Sequence, residues 1–157
     1  MIILGIDPGL NNTGWAIISF EKNVLNFIAS GAIKTSAKEN NCKRLSVISE
    51  GLKKVIAEFD PDEAAIEETF VNNNARSSLL LGQARGAILL TLEQSKLPVA
   101  EYAANLVKKT VTGSGHAEKT QVQAMVKMLL PKAVFDNADA ADALAVAICH
   151  TSHSKKY

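Results

Sequence analysis

Ile2-Ile3-Leu4-Gly5-Ile6-Asp7-Pro8-Gly9 decides the fold. A short apolar run rich in β-branched residues and bounded by a turn signal reads as a buried strand, and Asp-Pro-Gly is that signal. The strand therefore ends on a carboxylate, Asp7. An ionised carboxylate in apolar surroundings costs on the order of several kcal/mol unless something compensates it.

Outward from this strand, Asn11-Asn12-Thr13-Gly14 turns the chain. Trp15 to Phe20 reads as a second strand and Val24 to Ile33 as a third, and the link Glu21-Lys22-Asn23 suits an antiparallel hairpin. Leu45, Ile48, Leu52, Val55, Ile56 and Phe59 recur at helix spacing, and Pro61 closes that helix. Residues 63–67 form a fourth strand that ends on Glu67. The polar loop Val71-Asn72-Asn73-Asn74 leads into a long helix over 75–95, followed by a strand from Pro98 to Tyr102. A Gly-Ser-Gly loop at 113–115 precedes a helix over 117–130, which Pro131 stops. A last helix covers 138–150, with Asp136 or Asn137 as its N-cap. The order β-β-β-α-β-α-β-α-α predicts an α/β fold: a five-stranded mixed sheet with helices on both faces. Residues 1–150 read as a single domain and 151–157 as a frayed, flexible C-terminal tail.

Asp7 has three counterparts. Glu67 ends Ala64-Ala65-Ile66, and Asp139 and Asp142 lie in the alanine-rich stretch from Ala138 to Ala145. No Lys or Arg near any of them in sequence supplies a counter-charge. Asp7 and Glu67 sit at carboxyl ends of strands, where sites gather in open α/β sheets. Asp139 and Asp142 are three residues apart on one helix face. Each acid alone has an ordinary reading: a turn residue for Asp7, a surface acid for Glu67, a first-turn acid for Asp139. Together they point to hard divalent ions, Mg²⁺ or Mn²⁺, and to chemistry on phosphate. Two such ions about 3.5–4 Å apart clamp a phosphodiester.

The chain has 157 residues, 47% hydrophobic and 21% charged, with a net charge of +1. The small net charge hides segregation. Residues 57–70 hold Glu58, Asp60, Asp62, Glu63, Glu67 and Glu68 without a base, whereas 105–132 hold five lysines against Glu118. An acidic site beside a basic rim is the expectation. No apolar run is long enough to span a bilayer, no signal peptide leads the chain, and Cys42 and Cys149 form no disulfide framework, so a cytoplasmic protein is expected. Cys149 and His153 have one-turn spacing, read as a buried thiol rather than a metal pair.

The residues also carry a resemblance. Gly5-Ile6-Asp7-Pro8-Gly9 with Thr13-Gly14, Ala65-Ile66-Glu67, Leu81-Gly82-Gln83-Ala84-Arg85-Gly86, Glu101-Tyr102-Ala103, Ala117-Glu118-Lys119 and Asp139-Ala140-Ala141-Asp142-Ala143-Leu144-Ala145 resemble, in order, the RuvC family of bacterial Holliday-junction resolvases. The resemblance implies an RNase H-like fold and a homodimer. It implies paired, Mg²⁺- or Mn²⁺-dependent nicks on opposed strands of a four-way DNA junction, leaving 5′-phosphate and 3′-hydroxyl ends, in recombination and repair. It matches Asp7, Glu67, Asp139 and Asp142 to the family's catalytic, metal-binding acids. It also implies DNA contacts for Phe70, Lys108 and Lys119, and a branch-migration partner formed by RuvA and RuvB.

Further DNA contacts are expected of Arg76, at the start of the long helix, and of Lys109, beside the Gly-Ser-Gly loop. His116 reads as a solvated loop residue. Without the resemblance Phe70 reads as a core residue; with it, as an exposed ring that stacks on a base. Leu79, Leu80, Leu81, Ile88, Leu89, Leu90 and Leu92 exceed one apolar stripe, so the helix over 75–95 is expected to face both the sheet and a second copy. Two other readings compete. An actin-like ATPase shares a Gly-Ile-Asp-Pro-Gly hairpin but needs two such domains, and a junction-binding scaffold has no use for four costly carboxylates.

Overall fold

The computed structural model describes residues 1–154. β1 (Ile2–Asp7), β2 (Asn12–Glu21) and β3 (Val24–Lys34) form an antiparallel meander, and β4 (Glu63–Glu67) and β5 (Val99–Tyr102) extend it in parallel with β1. The sheet order is β3-β2-β1-β4-β5. β1 is central, and Ile3 to Ile6 are buried, as a strand covered on both faces requires. The hairpin between β2 and β3 turns on Lys22 and Asn23, at φ 49 and 64, the left-handed geometry that suits the twist of two-residue hairpins.

α1 (Asn41–Phe59) and α2 (Ala75–Gln94) cover one face through Ile48, Leu52, Ala84, Ile88 and Leu92. α3 (Ala104–Thr112), α4 (Lys119–Leu129) and α5 (Ala138–His153) cover the other. Asn40, Asn74 and Asn137 each accept a backbone N–H in the first turn of α1, α2 and α5. Each such cap is worth about 1 kcal/mol.

The five-stranded mixed sheet and its two helical layers match the expectation. Three details correct it. α3 was not foreseen: it spans nine residues, has no side-chain N-cap and ends in β-branched Val111 and Thr112. Its buried side is only Val107 and Val111, one turn apart, and packing against α5 overrides the weak local propensity. β2 begins at Asn12, inside the expected turn, because its first residues pair with the far end of β3, Asn12 opposite Lys34. α5 continues to His153, so Thr151 to His153 are helical rather than frayed. The rest of the expected tail, 155–157, lies outside the described residues. No described helix is long and apolar enough to cross a membrane.

α5 is the element that positions the site. It runs antiparallel to β1 and β4, and Ala140 to His150 are buried apart from Asp142. Two glycines let it approach. A Cβ on Gly5 would lie 2.2 Å from the Ala143 carbonyl oxygen, and one on Gly14 would lie 2.1 Å from the Asp139 carbonyl oxygen. Backbone on both sides blocks any larger residue there, so the alanine-rich helix lies directly on the glycine-notched sheet.

Candidate active site

Asp7 and Glu67 end neighbouring parallel strands. Ile6 pairs with Ile66, so the two acids occupy the next rung, about 4.8 Å apart along the strand-to-strand direction. Gly14 lies opposite Asp7 in the ladder and receives the first turn of α5, which brings Asp139 to the same place. Asp142 follows one turn later. Asp7, Glu67 and Asp142 line a cleft of about 320 Å³ with Lys108 of α3 and Lys119 of α4, closed behind by Val107 and Val122.

Asp7 and Glu67 hold their protons far above the usual carboxylate range. Burial, then the charges of Glu67, Asp142 and Asp139, push Asp7 up to about 8 against the pull of Lys119. Burial, then Asp142, push Glu67 up to about 7, opposed by Lys108 and Lys119. Burial also raises Asp142, although Lys119 Nζ stands 3.3 Å from its Oδ2. Asp142 in turn holds Lys119 more firmly protonated. The counter-charges absent from the local sequence thus arrive through tertiary structure, on α3 and α4. Among the described residues, the side chains of Asp7, Glu67 and Asp139 have no hydrogen-bond partner.

The donor set bears on what the cleft can hold. It is all oxygen and carries no His or Cys, the chemistry that suits Mg²⁺ or Mn²⁺ rather than zinc. As the side chains stand, no three His, Cys, Asp or Glu groups among the described residues are drawn into a ready coordination shell. Carboxylates crowded in this way repel one another when ionised, and a divalent ion relieves that repulsion. The carboxylates fit the ion in kind and number.

The remaining predicted residues divide. Phe70 is 63% exposed, so the core reading is wrong and the ring is free to stack. Arg76 is exposed in the first turn of α2, outside the cleft. Lys109 lies beside a separate depression with Gly113, Gly115 and His116. Leu79 and Leu90 leave α2 at 64% and 58% exposed, while Ala84, Ile88 and Leu92 face the sheet. Cys149 is a buried thiol, as read. One polar group escaped the sequence reading: His150, buried in the same apolar helix as Asp142. The criterion that exposed the four acids, a polar side chain inside an apolar run, finds it when applied to histidine.

Comparisons with known proteins bear on the family and the fold. The family profile described as crossover junction endodeoxyribonuclease RuvC matches residues 3–150. The Brucella ovis protein of that name is 56% identical over 151 residues, covering 96% of this chain and 87% of the relative. The Methylorubrum extorquens protein is 55% identical, covering 96% and 80%. The structure of Thermus thermophilus RuvC superposes with a TM-score of 0.86 at 31% identity, over 96% of this chain and 93% of that one. The same protein in complex with Holliday junction substrate gives 0.88 at the same identity and coverage. The yeast mitochondrial Holliday junction resolvase, at 14% identity and a TM-score of 0.69 over 94% and 76%, shares the fold. With the family profile, the sequence identity and the fold all matching over nearly its whole length, the chain belongs to the RuvC family of crossover junction endodeoxyribonucleases.

Proposed function

We propose that the acidic cleft resolves four-way DNA junctions by hydrolysing one phosphodiester in each of two opposed strands. The observation that carries this reading is the convergence of Asp7, Glu67, Asp139 and Asp142 from two strand ends and one helix face, rimmed by Lys108 and Lys119. Asp7, Glu67, Asp139 and Asp142 would hold two Mg²⁺ or Mn²⁺ ions. Bound there, such ions would make water more acidic and offset charge on the phosphate. Lys108 and Lys119 cradle the non-bridging phosphate oxygens and draw the backbone into the cleft. Part-burial of the carboxylates keeps bulk water from competing with the attacking one. In-line attack on phosphorus breaks the bond to the 3′ oxygen and leaves a 5′-phosphate and a 3′-hydroxyl.

Phe70, exposed beside the site, stacks on a base unpaired at the crossover, and Arg76 and Lys109 reach flanking phosphates. The outer face of α2 pairs two copies. Leu79 and Leu90 are exposed there, and added Cβ atoms on Gly82 and Gly86 would meet nothing within 4 Å among the described residues. A twofold dimer presents two clefts to the near-twofold junction, and nicking of opposed strands follows from that symmetry. The partnership with RuvA and RuvB remains part of this proposal.

The decisive assay is cleavage of a labelled four-way junction with Mg²⁺, beside linear duplex and an RNA–DNA hybrid. Paired nicks in the junction alone are expected. Cleavage of the hybrid instead moves the protein to RNA processing, and tight junction binding without any cleavage makes it a scaffold. A monomer by light scattering at the working concentration removes the symmetric-nicking model.

A further inference from the structure

At the other end of α5 lies a polar chain that the cleavage chemistry does not use. His150 is 4% exposed. Its Nε2 stands 2.6 Å from Glu63 Oε2, and its Nδ1 stands 2.8 Å from the Tyr102 hydroxyl. One proton arrangement satisfies a neutral ring completely: the Tyr102 hydroxyl donates to Nδ1, and Nε2–H donates to the Glu63 carboxylate. Burial raises the Tyr102 phenol, so that hydroxyl keeps its proton.

The three residues belong to three elements: Glu63 opens β4, Tyr102 closes β5, and His150 lies in the last turns of α5. Among the described residues, these are the only side-chain hydrogen bonds that tie α5 to the sheet. The rest of that interface is apolar, alanine above all, against glycine-notched strands, and such contacts are non-directional. The glycine notches let the helix come close. They do little to stop it sliding along its axis, because a helix passing another layer has alternative seats one turn, about 5.4 Å, apart. A pair of short hydrogen bonds does stop it.

The distances match this role. From Glu63 up the strand to Glu67 is about 13 Å, at about 3.3 Å per residue. From His150 back along the helix to Asp142 is about 12 Å, at 1.5 Å per residue. The two arms start at one hydrogen bond, run side by side and finish level at the cleft. We infer that Glu63–His150–Tyr102 is a positioning relay that sets the height of α5 on the sheet, and thereby holds Asp139 and Asp142 level with Glu67 and Asp7. This inference rests on the cleft being the metal-dependent nuclease site.

Glu63 permits a clean test, because its side chain is 25% exposed on an adjoining cleft and tolerates polar replacement. Mn²⁺ binding to the full chain is followed by loss of the free-ion electron paramagnetic resonance signal. In parallel, metal-free junction affinity and the Mg²⁺ concentration for half-maximal cleavage are measured well below the melting temperature. Glu63→Ala is expected to weaken Mn²⁺ binding about 10-fold, the lower end of what partners of metal ligands contribute. It raises the Mg²⁺ requirement by a similar factor and leaves junction affinity unchanged. Glu63→Gln keeps an acceptor for Nε2–H and restores most of the loss. Tyr102→Phe removes only a hydroxyl and shifts both readouts in the same direction, and it carries the test if Glu63→Ala does not fold. A Glu63→Ala or Tyr102→Phe protein that melts earlier but binds Mn²⁺ like the parent overturns the relay and leaves a simple stabilising contact. Failure of the underlying reading looks different: Asp7→Asn then binds Mn²⁺ and cuts junctions like the parent, and both conclusions fall.

Discussion

Glu63 and Glu67 open and close one five-residue strand, and the protein treats them in opposite ways. Glu63 faces an imidazole 2.6 Å away. Glu67 has no side-chain hydrogen-bond partner among the described residues, lies among other acids, and holds its proton up to about pH 7. A carboxylate that serves the fold is met by the fold. One kept for something from outside is left unmet, and the cost of its burial is carried until that ligand arrives. The same contrast runs along α5, between Asp139, which has no side-chain hydrogen-bond partner among the described residues, at one end and His150 at the other.

The sharpest way to break this contrast is to neutralise the unmet end. Asp7→Asn and Glu67→Gln are each expected to lower junction cleavage by more than about 100-fold, beyond the range lost with mere partners of metal ligands. Metal-free junction binding and melting temperature hold or rise, because a repulsive charge has gone. Failure of either variant to fold would place that acid with Glu63 as a structural group.

A second test uses pH on the metal-free protein. Asp7 and Glu67 keep protons in the folded state that the unfolded chain releases near its ordinary values of 3.8 and 4.5. The folded state therefore binds more protons from about pH 4 to about pH 8, and stability falls as pH rises through that window. Melting temperatures in EDTA should drop between pH 5 and pH 8.5, and excess Mg²⁺ should lift the pH 8.5 value. Glu67→Gln should flatten the drop, whereas Glu63→Gln should leave it in place. A flat profile in the parent protein would mean that the acids are solvated and the contrast is unreal.

The smallest effect concerns the rim. Lys119→Ala should weaken junction binding modestly and reduce the slope of log affinity against log salt by about 1. The same variant removes the one cation that, among the described residues, pairs with Asp142. An unchanged salt slope, with altered metal affinity, would make Lys119 an internal counter-ion and no part of the DNA surface.

Much of this was legible from residue order alone. The apolar run ending in Asp7, the turn after it and the helical periodicity of Leu45 to Phe59 are local signals, written within one turn or one strand. They placed the five strands and most of the helices. The four acids stood out because each breaks an apolar pattern, which needs no knowledge of neighbours in space. α3 escaped because only Val107 and Val111 mark it, and its stability comes from packing on α5. The frayed-tail reading of Thr151 to His153 failed for a related reason: a polar composition says little when the helix behind it is anchored.

By itself, then, the sequence determined which elements form and which side chains are too costly to bury without purpose, since both follow from local chemistry. Only the tertiary structure decided how those costs are met. It brought Lys119 to Asp142 and set His150 between Glu63 and Tyr102. It also left Glu67 without a side-chain hydrogen bond among the described residues. These are contacts across 23, 87 and 48 residues of chain, and they depend on how α5 is seated against its neighbours. No local pattern encodes that seating: the glycine notches bring α5 close to the sheet, and the hydrogen bonds of His150 to Glu63 and Tyr102 fix its height there.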